Sequence, residues 1–324
     1  MPYARTRRIA ILLTTCLSLA AAARAEPLTI AVTPSALSLP VDVAQAQGYF
    51  TDEGVEVKVV DCNTGRRCLQ QLFDGSAPLV TVTELLVMSA SFDRNDHAVI
   101  STIATSNGNI RLIARKSAGI TQAAQLSGKR IGVIVGTSSH YYLDAFLLFH
   151  DVDPRHIQLV PLLPENIVAA VEKGQVDALA GYSRHTGPVL KSLGTDGVML
   201  DDPRIYTETY NLVADRRVLA RRGADVGRVL RALERAEHFI ADQPAQARRI
   251  LLARTALDSR LVDSILPSFT YRLSLDQSLI AAMEGEARWA IREGHVAAGR
   301  KIPNFLNVVD FGPLRANVPS ALPR

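Results

Sequence analysis

Cysteine is scarce: the 324 residues hold three, at positions 16, 62 and 68. No two of them have the C-x-x-C spacing of a redox or zinc motif, and no histidine stands close by. The seven histidines lack zincin spacing, no G-x-G-x-x-G follows the first strand, and Gly128-Lys129 lacks the upstream glycine of a phosphate loop. Neither a metal nor a cofactor is expected. Long apolar runs are also missing, apart from Ile9 to Ala23. That run falls short of the ~20 residues needed to span a bilayer. Arg5, Arg7 and Arg8 precede it and Ala23-Arg24-Ala25 closes it, the pattern of a cleaved secretory signal. Residues 1–25 are therefore expected to be removed before Glu26, leaving an exported, periplasmic chain without stable membrane insertion. Lipid anchoring through Cys16 fits poorly, because Thr14-Thr15 precede it and more apolar chain follows.

An excess of charge of one sign is absent as well. The chain has 36 Lys and Arg against 32 Asp and Glu, and residues 1–25 hold four arginines and no acid. Removal of those four leaves 32 of each sign, without the basic face that nucleic-acid binding requires.

After cleavage two cysteines remain, Cys62 and Cys68, with Asn63-Thr64-Gly65 between them forming a turn. An even count in an oxidising compartment points to a disulfide. Two reduced thiols, with Cys68 buried on a helix, are the other possibility.

Along the chain, short apolar strands alternate with amphipathic helices. Strands are expected at 28–32, 55–60, 79–82 and 98–104, with helices at 41–47, 66–73 and 84–92. The rhythm restarts with strands at 130–135, 157–161, 178–180 and 198–200 and helices at 138–150 and 165–173. Extended stretches at 110–115 and 210–215 separate the two sets. Beyond Arg216 four segments, at 225–241, 244–253, 258–266 and 275–292, look helical, with Asp225, Asp258 and Ser274 as N-caps. Alternation of this kind implies parallel sheets packed between helices. Two sets joined by two crossings suggest an α/β protein of two lobes; one continuous doubly wound sheet fits the same pattern.

Three phrases carry a resemblance. Gln47-Gly48-Tyr49-Phe50 with Glu53-Gly54-Val55, then Leu126-Ser127-Gly128-Lys129-Arg130-Ile131-Gly132-Val133 with Gly136-Thr137-Ser138, then Gly174-Gln175-Val176-Asp177-Ala178 follow one another. Together they resemble periplasmic solute-binding proteins of ABC importers, the family for nitrate, sulfonates, taurine and thiamine-pyrimidine precursors. The resemblance covers about residues 28–239. It implies a two-lobed type II binding-protein fold, a small organic ligand between the lobes and the membrane subunits of an importer as partner; a monomer is expected. The lobes would comprise 26–110 with a helical return over 210–324, and 111–209. A sensor that hands its signal to another protein would share these features.

In open α/β sheets ligands gather at the carboxyl ends of strands. Gly136, Thr137 and Ser138 follow a strand and open a helix, where free N–H groups and the helix dipole favour anions. Thr83 and Glu84 hold the equivalent place in the first set, and Ser35 follows the first strand. Glu84 would favour an amine or merely complement its helix dipole. Tyr182 and Arg184 follow a strand of the second set, suited to stacking and to pairing with an anion. Tyr210 borders the second crossing and Asn109 the first. An enzyme is not expected: Gly181-Tyr182-Ser183-Arg184-His185 lacks the last glycine of a nucleophile elbow. The ligand expected is small and anionic, with an aromatic or amine-bearing compound as the alternative.

Overall fold

A computed structural model of the chain describes residues 26–322, apart from 201 and 256. The expected signal segment, with Cys16, falls outside the described residues. The strands are β1 (Leu28–Val32), β2 (Val57–Asp61), β3 (Leu79–Thr83), β4 (His97–Ser106), β5 (Ile110–Arg115), β6 (Arg130–Val133), β7 (Gln158–Pro161), β8 (Ala178–Tyr182), β9 (Gly197–Met199), β10 (Glu208–Asp215) and β11 (Phe269–Thr270). They form two separate sheets, six strands in the order β11-β4-β10-β3-β1-β2 and five in the order β7-β6-β8-β5-β9. The chain passes from the first sheet to the second between β4 and β5, and returns between β9 and β10. One continuous sheet is thereby excluded, and the architecture is the two-lobed α/β one.

The expectation of parallel sheets needs correction. β1 pairs with β2 and β3 in parallel, but β10 runs antiparallel to both β3 and β4. In the second sheet β5 runs antiparallel to β8 and β9. The cause is the double crossing: β5 and β10 enter their sheets directly from the other lobe, without a helix to reverse their direction.

Burial follows from this position. All five residues of β3 are buried, since helices cover the sheet on both faces, whereas edge strand β2 is only partly covered. Leu79, Val80, Val82, Ile100, Leu212 and Val213 are wholly inaccessible in the first core. A second core gathers Leu112, Ile131, Val133, Leu143, Phe146 and Leu147. Truncating Phe146 to alanine there should destabilise by about 3–5 kcal/mol.

Among the expected caps, Asp258 receives Arg260 N and Leu261 N. Asp225 and Ser274 do not cap. The helix Arg216–Asp242 begins earlier, where Asp215 accepts from Arg217 N, and leaves helical geometry at Arg222. Asp225 instead pairs with Arg222 and Arg228. Asp276 caps the helix Gln277–Arg292, while the backbone of Ser274 is bonded to that of Thr102.

Candidate functional site

Between the lobes lies a cavity of ≈ 270 Å³. The first lobe contributes Ser35, Thr83 and Tyr210, and the second contributes Thr137, Ser138, Tyr182 and Arg184. All but Tyr210, which lies within β10, stand where a strand gives way to a loop or helix. Thr83 is the N-cap residue of the helix Glu84–Ser91, Thr137 that of Ser138–Phe149 and Tyr182 that of Ser183–Leu193, and none of the three makes a side-chain capping bond. First-turn N–H groups of a helix lack partners within it, so several donors converge on one space. The two lobes also meet there, through the hydroxyls of Ser138 and Thr83 at 3.4 Å.

Three of the expected residues have other employment. The Gly136 amide donates to His140 Nδ1 at 3.3 Å, and Gly136 is not among the lining residues. Glu84 is wholly buried away from the cavity: it accepts from Thr209 N and Oγ1, both at 2.8 Å, and from the Tyr206 hydroxyl. Burial raises the Glu84 pKa, and its oxygens are taken up by these donors rather than turned toward a ligand. The Thr137 hydroxyl donates to Ile134 O at 2.7 Å and stands 2.8 Å from Ser139 Oγ; it holds the loop in shape.

Several lining residues, Thr64, Arg66, Asn109 and Glu208 among them, were not singled out as ligand contacts. Thr64 and Arg66 come from the start of the helix Gly65–Asp74, held in place by the disulfide between Cys62 and Cys68, whose Cα atoms are 5.5 Å apart. Arg66 has no ion pair among the described residues, and its guanidinium reaches across to within 3.9 Å of the position a Cβ on Gly136 would take. Asn109 and Glu208 belong to the crossings. Asn109 Nδ2 donates to Glu208 Oε2 at 2.7 Å, and Asn109 Oδ1 accepts from the Ser183 hydroxyl at 2.9 Å. Glu208 Oε1 and the Tyr210 hydroxyl are buried without hydrogen-bond partners. Such orphans are rare in a finished fold, and both residues line the cavity. Nothing in the sequence pointed to Glu208, which precedes the expected extended stretch at 210–215.

The electrostatics divide the cavity. Burial, with the nearby charge of Glu84, pushes the Glu208 pKa up to about 8, against the Asn109 hydrogen bond that lowers it. At neutral pH its carboxyl is mostly protonated and able to donate. Tyr182 is raised by burial and stays a phenol. The Arg184 guanidinium lies over the Tyr182 ring at 5.7 Å and its Nε donates to His185 Nε2 at 3.2 Å. Burial first, and Arg184 second, lower the His185 pKa to about 4. A neutral His185 can therefore accept that bond and orient Arg184. No carboxylate pairs with Arg184 among the described residues.

Two sheets joined by two crossings, with helix starts of both lobes facing one gap, define a type II periplasmic binding-protein fold. The chain belongs to the NMT1/THI5-like family, whose model matches residues 37–247. It is 28% identical over 181 residues to the taurine-binding periplasmic protein of Escherichia coli (strain K12), covering 55% of this chain and 54% of that one. The chain thus spans about half the length of this curated relative. Among solved structures it resembles the periplasmic aliphatic sulphonate binding protein of Escherichia coli, with TM-score 0.75 and 20% identity over 87% of this chain and 97% of that one. The alkanesulfonate-binding protein of Xanthomonas axonopodis pv. citri bound to MOPS gives TM-score 0.72 at 20% identity, covering 88% and 98%. The desulfurization enzyme DSZB shares the fold too, with TM-score 0.67 at 16% identity over 90% and 99%. At these identities the likeness is one of fold.

Proposed function

We propose that this chain is an exported, periplasmic solute-binding protein that holds a small organic anion, of the sulfonate or carboxylate class, between its lobes. It then presents the ligand to the membrane subunits of an ABC importer. One observation carries the choice of anion: Arg66 and Arg184 both border the cavity, and neither is paired with a carboxylate among the described residues. Helix starts and the hydroxyls of Ser35, Thr83 and Ser138 supply further donors, and the protonated Glu208 adds one more. Binding that bridges the lobes shifts an open–closed equilibrium toward the closed form.

Catalysis is not part of this reading, although DSZB shares the fold. The Ser183 hydroxyl donates to Asn109 rather than to a base, and His185 accepts from Arg184. A second reading rests on Glu208 Oε1: a ligand with an ammonium group opposite its anionic group would satisfy that atom, as the taurine-binding relative's name suggests.

Isothermal titration of the purified protein with butane-1-sulfonate, taurine, nitrate and butyrate tests the proposal. A sulfonate or carboxylate should bind, and Arg184→Ala should weaken it roughly 10- to 100-fold, as expected for loss of a charged hydrogen bond of ~1.5–3 kcal/mol. A folded protein that none of these anions binds, or an Arg184→Ala variant of unchanged affinity, would overturn it.

A further inference from the structure

Beside the ligand cavity runs a second depression of ≈ 930 Å³, and the two share Arg184 and Leu257. The second lobe provides Arg111, Arg184 and Lys191 to it, and the segment after Leu257 provides Asp258 and Arg260. Four cationic side chains thus face one carboxylate, and that carboxylate is occupied as a helix cap, accepting from Arg260 N at 2.9 Å and Leu261 N at 3.3 Å.

Elsewhere Arg94, Arg130, Arg155, Arg204, Arg217 and Arg248 each meet an aspartate. None of the four groove cations has an ion pair among the described residues. Arg111 is held by main-chain oxygens, donating to Gly108 O at 3.1 Å and Ser264 O at 3.4 Å. Lys191 and Arg260 are exposed. Across the cavity Arg66, also exposed and unpaired, extends the same sign of charge.

We propose that this groove is an entry vestibule, which captures small anions by their charge and passes them over Arg184 into the cavity. The inference rests on the anion-binding reading above. A concave surface with low-dielectric walls focuses its field and raises the local concentration of oppositely charged solute, with on-rates increased by roughly 10- to 1,000-fold. Lys191 and Arg260 stand outside the cavity, so they accelerate arrival without holding the bound ligand. Arg184 belongs to both compartments and performs both tasks.

Stopped-flow measurement of Trp289 fluorescence with butane-1-sulfonate tests this on the full exported chain. The double reversal K191E/R260E should lower the association rate constant about tenfold at ~10 mM salt, where the Debye length is ~30 Å. The deficit should shrink to less than about twofold at ~1 M salt, where that length is ~3 Å. The dissociation rate constant should stay within about twofold of wild type. K191A/R260A should show a smaller loss of the same kind, and replaces the reversal if circular dichroism finds that variant misfolded. Equal association rates at low salt would overturn the vestibule while leaving the anion reading intact. A raised dissociation rate would overturn it too, since the groove would then contact bound ligand. Failure of the wild type to bind butane-1-sulfonate would be a distinct result, removing the reading underneath and the vestibule with it.

Discussion

Trp289 Nε1 donates a hydrogen bond to Asp144 Oδ2 at 2.7 Å, and this bond joins the two lobes. Asp144 sits on the helix Ser138–Phe149, whose first residue lines the ligand cavity, while Trp289 belongs to the helical tail that returns to the first lobe. Tyr141 and His140 of the same helix pack edge-on against the indole, at 5.4 and 5.2 Å between ring centroids. The cavity wall and the tail are thus in direct contact, and the chain's one tryptophan sits at the joint.

Breaking this joint should weaken ligand binding from a distance. Asp144→Ala leaves the indole N–H without an acceptor in a buried contact, a cost of about 1–3 kcal/mol that arises only where the helices meet. The lobes should open more readily, the dissociation constant of a bound anion should rise roughly 5- to 100-fold, and tryptophan emission should shift to longer wavelength. A fluorescence titration reads both effects. Unchanged affinity with unchanged emission would show that the bond contributes nothing to closure.

Glu208 makes the charge of the ligand readable from pH. Its pKa of about 8, raised by burial and by Glu84, means that the carboxyl ionises as pH climbs through 8. A purely anionic ligand binds beside the protonated form, so its affinity should fall from pH 7 to pH 9. Glu208→Gln should abolish that fall and keep the neutral-pH affinity within a few-fold. A ligand with an ammonium group reverses the sign: affinity should rise over the same range, and Glu208→Gln should cost roughly tenfold or more. Titrations of butane-1-sulfonate and taurine at pH 7 and 9 separate the two.

His140 and His295 should make the lobe contact sensitive to acid. Their rings face each other with Nε2 of His295 3.1 Å from Nδ1 of His140. Trp289 packs edge-on against His140, the Gly136 amide donates to it, and Glu293 is the acid that acts on its charge. Burial chiefly, and His295 secondarily, depress the His140 pKa to about 4, while Glu293 opposes them. Burial lowers His295 as well. The sign follows from linkage: between pH 6.5 and 4 the unfolded chain binds protons that the folded one refuses, so this pair's contribution to stability is lost as pH falls. Buried carboxyls such as Asp42, raised to about 6, act in the opposite direction. The clean measurement is therefore a difference: the melting-temperature gap between wild type and His140→Gln should narrow steadily from pH 6.5 to pH 4. A gap independent of pH would remove the pair's role.

These tests divide along what local sequence can reveal. That Thr83, Ser138 and Tyr182 would line the cavity was legible because each ends a strand or opens a helix, and Ser35 because it follows the first strand; Tyr210, within β10, was legible only as a neighbour of the second crossing. Glu84 holds the same kind of position, yet Thr209, 125 residues away, supplies two donors that turn it inward. No periodicity carries that information. Arg66 reads as ordinary solvated charge until the crossing of the chain sets the second lobe opposite it. The mixed direction of both sheets was likewise hidden, because an extended stretch has the same composition whichever way it enters. Ser274 looked like a helix cap on chemistry alone, but pairing with Thr102 took its backbone into the sheet and left the cap to Asp276.

The disulfide ties stability to the site. Cys62 follows β2 and Cys68 lies wholly buried on the helix Gly65–Asp74, with Thr33 Oγ1 3.4 Å from its sulfur. Between them Thr64 caps the helix by accepting from Arg67 N at 3.3 Å, and Arg66 faces the cavity. Closing so short a loop removes chain entropy worth about 2–2.5 kcal/mol. Cys62→Ser/Cys68→Ser should lower the unfolding free energy by that amount in urea, with little change in slope. Because the loop also positions Arg66, the variant should bind butane-1-sulfonate several-fold more weakly even where it is fully folded. Arg66→Ala should show that loss of affinity without the loss of stability, since its side chain is exposed. If the double serine variant binds as tightly as wild type, the bridge stabilises the lobe alone and Arg66 needs no such support.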